Sequence, residues 1–238
     1  MEPVKILWLY GDLMDLYGDR GNLTAVTHCL DGAGIPWTME EKSIYDELAP
    51  EEYRLIYVGP GKDRNLLRAA EHLTGYGEAL SRAVEQGTVF LVTGNAQLLF
   101  GQSIRDEEGV RHPAAGLFEY TGELTGEVFI DDVVLAPAED PETLAYGFIN
   151  RTSRRTGDGG EPLFRVRWAQ KPIGETEGIL HRNFLGTWAL GPVLAKNAAL
   201  LADVLERVTG GPVPFDRTLA DEALARTLAE FPLNGDPS

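Results

Sequence analysis

The sequence has little cysteine, a shortage of basic residues and no long apolar run. One cysteine in 238 residues cannot form an internal disulfide, which fits a reducing compartment. Lys and Arg number 21 against 37 Asp and Glu, a net charge of −16, so the surface repels nucleic-acid phosphates and anionic membranes. No apolar stretch approaches the ~20 residues that span a bilayer. The first residues lack the basic and apolar regions of a signal peptide. These absences predict a cytoplasmic protein without a nucleic-acid partner or membrane insertion.

Histidine is also scarce, with four residues in the chain. His28, His72 and His112 have no metal-ligand spacing with one another or with acidic residues, so we predict no metal site.

Apolar runs and helical periodicity alternate along the first half of the chain. Three runs are typical of strands buried on both faces: Val4–Tyr10, Leu55–Val58 and Val89–Val92. Asn22 suits the N-cap of a helix between the first two runs. Residues 65–86 read as helical, with a break at Gly75–Gly77. Strands separated by single helices predict an α/β fold with a mainly parallel central sheet.

The second half is less regular. We expect a strand interrupted or bent at Asp131–Asp132, an exposed loop over Arg151–Gly160 and a half-exposed strand at Phe164–Trp168. Two further helices are expected at Asn197–Val208 and Leu219–Phe231. The expected organisation is one domain over residues 1–210, followed by a C-terminal helix and a tail over 211–238, which frays from Leu233.

The most informative stretch is 89–101, which reads as a buried strand that turns sharply into a helix. Enzymes often place an exposed nucleophile at such a corner. Here the corner holds Thr93, and a β-branched residue at positive φ is strained. Thr93 therefore either sits in a strained corner or lies in one that has relaxed.

Five segments resemble, in order and spacing, the class I glutamine amidotransferases of the CobB/CobQ type, and within them the GatD type: residues 16–22 (Leu-Tyr-Gly-Asp-Arg-Gly-Asn), 59–63 (Gly-Pro-Gly-Lys-Asp), 93–97 (Thr-Gly-Asn-Ala-Gln), 146–148 (Tyr-Gly-Phe) and 186–192 (Gly-Thr-Trp-Ala-Leu-Gly-Pro). The resemblance runs from about Leu7 to Val208. It implies a flavodoxin-like three-layer sandwich. It also implies a glutaminase subunit that passes ammonia to a Mur-ligase-like (MurT-type) partner in peptidoglycan precursor amidation. The partner would bind ATP, and no cofactor is expected in this chain.

The resemblance also locates departures from the family pattern. Alignment on Gln97 puts Thr93 at the nucleophilic cysteine, before Gly94, and Asn95 at a glycine. Leu190 occupies the position of the catalytic histidine. Val128 stands where GatD-type members have the arginine that holds the glutamine carboxylate. The family's Gly-Phe-Glu-Asn-His segment reads Gly-Phe-Ile-Asn-Arg at 147–151.

These departures remove the groups that the chemistry needs. Amide hydrolysis by cysteine uses a thiolate and an imidazole that protonates the leaving ammonia. A threonine hydroxyl is far less acidic, and Leu190 supplies no base. The resemblance therefore implies a degenerate, non-catalytic subunit. The alternative is an active subunit supplying ammonia, or a hydrolase of another amide.

Several residues have a structural as well as a functional interpretation. Thr93 could simply end a strand and cap the next helix. Cys29 fits a small buried apolar residue better than a displaced nucleophile, and His181 fits a surface loop. Gly59 and Gly61 either form a plain turn or retain part of an oxyanion hole. The arginines of the expected loop, 151, 154 and 155, are either solvated or hold a carboxylate or phosphate.

Overall fold

The computed structural model describes residues 2–233. Within this range the strands are β1 (Val4–Leu9), β2 (Trp37–Lys42), β3 (Leu55–Val58), β4 (Val89–Thr93), β5 (Ser103–Arg105), β6 (Arg111–Pro113), β7 (Tyr120–Pro137), β8 (Ala145–Gly157), β9 (Phe164–Ala169), β10 (Thr176–Glu177), β11 (Ile179–His181), β12 (Phe184–Thr187) and β13 (Ala189–Leu190). The helices are α1 (Arg20–Gly32), α2 (Asp63–Leu73), α3 (Gly77–Glu85), α4 (Val193–Lys196), α5 (Ala198–Thr209) and α6 (Thr218–Leu228). None of these helices is long and apolar enough to cross a membrane.

The central sheet has the strand order β11-β12-β4-β3-β1-β2. All neighbours pair in parallel except β11 and β12. The predicted strands β1, β3 and β4 are confirmed, and almost every residue in them is buried, as expected for strands covered on both faces. The sequence did not predict β2, because this edge strand is largely polar and alternates in burial.

Helices cover both faces of this sheet. The β1–α1–β2 and β3–α2–α3–β4 connections run in opposite directions along it, so right-handed crossovers place α1 and the α2–α3 pair on opposite sides. α5 contacts α1 and therefore lies on the α1 side. In α2 the residues at helical spacing, Leu66, Ala69, Ala70 and Leu73, are fully buried.

The second sheet, largely antiparallel, was not predicted. It has the order β10-β9-β7-β5-β6, with β8 paired to β7 and β13. The expected loop at Arg151–Gly160 is wrong: β8 continues to Gly157 because β7 supplies its backbone hydrogen bonds along the whole length. An interruption at Asp131–Asp132, one of the two expected alternatives, is also wrong. β7 is continuous there, and its register against β8 shifts between Leu124 and Phe129.

The predicted helices are confirmed with one correction. α1 begins at Arg20 with Asp19 at the N-cap position, so Asn22 lies within the helix and its side chain is buried. The predicted break at Gly75–Gly77 is a 3₁₀ turn between α2 and α3. α5 and α6 match the two C-terminal helices. Residues 234–238 of the expected frayed tail lie outside the described residues.

Candidate functional site

The carboxyl ends of β1, β3 and β4 share one edge of the central sheet, because these neighbouring strands are parallel. Tyr10, Gly59 and Thr93 therefore lie at the same edge. The segments after β3 and β4 are joined there by one side chain. The amide of Asn95 donates to the Gly61 carbonyl (2.8 Å) and its oxygen accepts from the Gly61 N–H (3.0 Å).

The corner after β4 is relaxed at Thr93. Thr93 has an extended backbone (φ −113°, ψ 148°), and the left-handed conformation falls on Gly94 (φ 60°), where glycine carries no steric cost. A 3₁₀ helix follows over Gly94–Phe100, in place of the expected α-helix. A Cβ on Gly94 would lie 2.6 Å from Leu190 Cδ2 and 2.8 Å from Pro60 Cβ. Leu190 and Pro60 thus close over the corner.

The hydroxyl of Thr93 belongs to a buried polar cluster beneath the corner. Thr93 has no exposed surface, and its Oγ1 lies 3.0 Å from the Tyr57 hydroxyl. Asn22 donates to the same hydroxyl (3.2 Å), and the Asn22 oxygen accepts from the Leu194 N–H (2.9 Å). The predicted helix-capping role of Thr93 is wrong, because its hydroxyl bonds across the sheet to Tyr57 instead.

Asp19 adds a carboxyl group to the same region. It is fully buried, and among the described residues neither oxygen has a well-aligned hydrogen bond. A Cβ on Gly59 would lie 3.4 Å from Asp19 Cβ. Burial, with a smaller effect of Asp15, raises the pKa of Asp19 to about 6, and the nearby Tyr17 backbone and Tyr57 hydroxyl partly offset this. The sequence alone assigns no role to Asp19. Its position in the first of the five family-like segments, residues 16–22, is the feature that could have marked it as a site residue.

A crevice of about 280 Å³ opens at this edge. Leu16 and Tyr17, which are 43% and 37% exposed, stand at its mouth. Its other lining residues are Pro60, Gly61, Lys62, Asp63, Asn95, Asn150, Arg151 and Thr152. Burial raises the pKa of the half-buried Asp63, and the charge of Glu107 adds to the effect. Thr93 and Leu190 lie beneath this surface and do not line the crevice.

The other predicted site residues divide between the crevice and its surroundings. Gly61 lines the crevice, but its N–H is bonded to Asn95 and does not point free into an oxyanion hole. Gly59 is packed so closely that a Cβ would lie 2.6 Å from the Met14 carbonyl oxygen. Gln97 is buried, donates to the Gly94 carbonyl and accepts from Arg155. Val128 on β7 is 65% exposed and lies outside the crevice lining.

Two candidate reactive residues lie away from the crevice. Cys29 is buried on α1, where burial raises the pKa of its thiol, as expected for a small apolar residue. His181 is exposed, on strand β11 rather than in a loop. Within residues 2–233, no three His, Cys, Asp or Glu side chains converge as a metal site would require.

The arrangement of the central sheet and its helices is similar to that of two solved structures. The structure resembles a glutamine amidotransferase from Thermotoga maritima, with a TM-score of 0.53, 13% identity and coverage of 97% of this chain and 94% of that one. It also resembles the acivicin-bound glutaminase domain of Trypanosoma brucei CTPS, with a TM-score of 0.54, 8% identity and coverage of 90% and 97%. These likenesses show a flavodoxin-like α/β fold.

The sequence comparison specifies the family. Residues 5–198 match the CobB/CobQ-like glutamine amidotransferase domain, and the chain belongs to that family. It is 30% identical over 204 residues to the GatD subunit of the glutamine-hydrolysing lipid II isoglutaminyl synthase of Streptococcus pneumoniae, covering 83% of this chain and 77% of that protein. It is 25% identical over 224 residues to the Staphylococcus aureus GatD subunit, covering 91% and 89%. The resemblance to GatD read from the motifs is confirmed.

Proposed function

We propose that this protein is a non-catalytic GatD-like subunit of a complex that amidates peptidoglycan precursors. The observation that carries this proposal is the state of the corner after β4. The Thr93 hydroxyl is wholly buried against Tyr57, and Leu190 packs over the corner from above. An incoming amide has no path to this hydroxyl.

Each change at the corner corresponds to one requirement of amide hydrolysis. Thr93 provides no thiolate, Leu190 provides no imidazole, and Asn95 occupies the Gly61 N–H that an oxyanion would need. In a serine protease the loss of the nucleophile or the base alone lowers turnover on the order of a million-fold. Removal of a single oxyanion-hole donor, measured by itself, lowers kcat roughly 10²–10³-fold. Together these losses favour a subunit retained for binding.

The glutaminase proposal is tested by ammonia release from glutamine, with and without the co-expressed partner. We expect no release above background and no labelling of the corner by electrophilic glutamine analogues. Turnover that Thr93→Ala abolishes would establish an active hydrolase and contradict the proposal. Cys29→Ser is the matched control. If this substitution, and not Thr93→Ala, abolished turnover, the nucleophile would lie on α1.

We further propose that the partner is a cytoplasmic Mur-ligase-like protein of the MurT type, which would bind the ATP. The named relatives are subunits of lipid II isoglutaminyl synthase, so they act within a complex. Leu16 and Tyr17 are exposed apolar side chains at the mouth of the crevice. Val128 and Ile130 are exposed apolar residues of β7 on either side of Phe129, whose position in the strand pairs with that of Arg151. Such residues suit the buried centre of an interface.

The docking proposal is tested by co-purification with the Mur-ligase-like protein encoded beside it. Because Thr93 and Leu190 are buried, the informative substitutions are at the rim, Tyr17→Asp and Val128→Asp, and both should weaken the complex. Leu219→Asp on α6, at an 80% exposed apolar residue, is the matched control and should leave binding unchanged. A chain that remains monomeric beside every Mur-type ligase of its cell would refute this partner.

A further inference from the structure

A second cavity, of about 200 Å³, is lined by three arginines of a single strand. Arg151, Arg154 and Arg155 all lie on β8, the segment expected to be a loop. Arg151 lines both this cavity and the crevice. The remaining walls are Ile149, Ile173, Thr176, Glu177, Gly178 and Trp188. This concentration of positive charge is notable in a chain with a net charge of −16.

The Arg155 guanidinium is held in place from two sides. It donates to Gln97 Oε1 (3.2 Å) and to the Gly178 carbonyl (3.1 Å). Its Cζ lies 5.2 Å from the ring centroid of Tyr120, a cation–π contact. Burial lowers the pKa of Arg155, which indicates that the charged form is incompletely solvated. The side chain is therefore fixed, with donor capacity beyond its two bonds.

Arg151 is held by aromatic rings and uses little of its hydrogen-bonding capacity. Its Cζ lies 5.1 Å from the Phe129 centroid and 4.9 Å from the Trp188 centroid. It donates to the Ser153 carbonyl (2.7 Å), while its buried Nε has no partner among the described residues. Burial lowers the pKa of Arg151. The charge of Glu177 opposes this effect, and the charges of Arg154 and Arg155 add to it.

The buried carboxyl group nearby does not pair with these guanidinium groups. Glu177 accepts from Thr187 Oγ1 (2.8 Å) and from the Trp188 N–H (2.6 Å). Across residues 2–233, no carboxylate oxygen lies within 4.0 Å of an Arg151 or Arg155 nitrogen, whereas Arg154 pairs with Glu123 at 2.7 Å. The charge of Glu177 offsets part of the cost of burying these two cations, and charge-assisted bonds to an anion would offset more of it.

We propose that this cavity binds a small oxyanion, a phosphate or a carboxylate group, between Arg151 and Arg155. Both guanidinium groups present planar donors suited to such an anion. Ser153, which is not part of the cavity lining, lies between them in sequence on the same face of β8, and its buried Oγ has no partner in the described part of the chain. Because the overall field of the protein repels anions, binding here must come from this local cluster. The site does not depend on the proposed function.

The experiment is calorimetric titration of the purified protein with sodium phosphate and, separately, with sodium glutarate. Ionic strength is held constant with chloride. We expect saturable binding of at least one anion. Arg151→Gln and Arg155→Gln should each weaken it by at least about tenfold, the loss of one charge-assisted hydrogen bond. Arg167→Gln on β9, an exposed arginine, is the control for net charge and should change affinity by less than about twofold.

Each outcome decides the proposal. Binding of phosphate alone or of glutarate alone supports the site and identifies its ligand chemistry. No saturable binding of either anion overturns it, as does equal weakening by Arg167→Gln. If a glutamine variant does not fold, Arg151→Lys and Arg155→Lys are titrated instead, since lysine keeps the charge but loses the planar fork. Unchanged affinity in both lysine variants would count against the proposal.

Discussion

Asp19 is the residue in which burial and charge conflict most directly. Its carboxyl group is fully buried at the edge that carries the crevice, and its pKa is raised from 3.8 to about 6, chiefly by burial. The folded state therefore binds this proton more tightly than the unfolded chain does. The protonated carboxyl group contributes its full stabilisation below about pH 4. This contribution is lost as the pH rises to about 6, and above that pH the free energy of unfolding no longer depends on Asp19 titration.

Asp19→Asn should remove this pH dependence. We expect the variant to gain stability relative to the parent protein between about pH 4 and 6, by up to about 3 kcal/mol if the whole shift is expressed. Urea unfolding at a series of pH values measures the difference. Glu142→Gln, at an exposed residue between β7 and β8, is the control and should give a curve parallel to the parent's. A constant gap for Asp19→Asn across the range would contradict the assignment.

Among the structural elements, the corner between β4 and the 3₁₀ helix determines what the site can do. Two demands meet at Gly94, a positive φ and close contact with Leu190 and Pro60. Gly34, after α1, has a similar φ of 67°, but a Cβ added there would have no other heavy atom within 4 Å. Comparing alanine substitutions at these two glycines therefore distinguishes the cost of backbone strain from the cost of steric contact.

Gly34→Ala should cost only backbone strain, about 1–2 kcal/mol, whereas Gly94→Ala should cost more because the new methyl group also meets Leu190. Equilibrium unfolding of both variants measures the difference. The double variant Gly94→Ala/Leu190→Ala tests the cause, since it should show a favourable coupling energy relative to the two single variants. Equal costs for Gly34→Ala and Gly94→Ala would mean that Leu190 does not close over the corner.

At the scale of the whole molecule, the two sheets bring together groups that are far apart in sequence. The crevice joins loops of the central sheet to Asn150, Arg151 and Thr152 of β8. Leu190 reaches the corner because β13 pairs with β8 in the second sheet. Residues 93, 95 and 190 therefore meet at one corner, whereas Val128 lies outside the crevice lining.

Groups that act as a unit are strongly non-additive, so single reversions should not restore glutaminase activity. We expect no ammonia release from Thr93→Cys or from Leu190→His alone. Activity should first rise in the combined variant that carries Thr93→Cys, Leu190→His and Asn95→Gly, because a nucleophile, a base and a free Gly61 N–H are then all present. Family-like turnover in Thr93→Cys alone would mean that the rest of the site is intact.

The sequence by itself determined the elements that rest on local pattern. The apolar runs of β1, β3 and β4 specify buried parallel strands, and helical spacing specifies α2, α3, α5 and α6, because period and burial are linked within one element. The ordered motifs were sufficient to recognise the family. Asn22 was misassigned because asparagine serves equally as a helix N-cap and as a buried hydrogen-bonding residue, and the sequence does not distinguish the two.

Only the tertiary structure decided what depends on pairing partners distant in sequence. Arg151–Gly157 forms a strand because β7 pairs with it, although its composition is typical of a loop. Thr93 escapes strain because Gly94 takes the left-handed conformation, and its hydroxyl is occupied by Tyr57. The burial of Asp19 and the grouping of Arg151 with Arg155 around a cavity likewise follow from packing between elements, which no local pattern records.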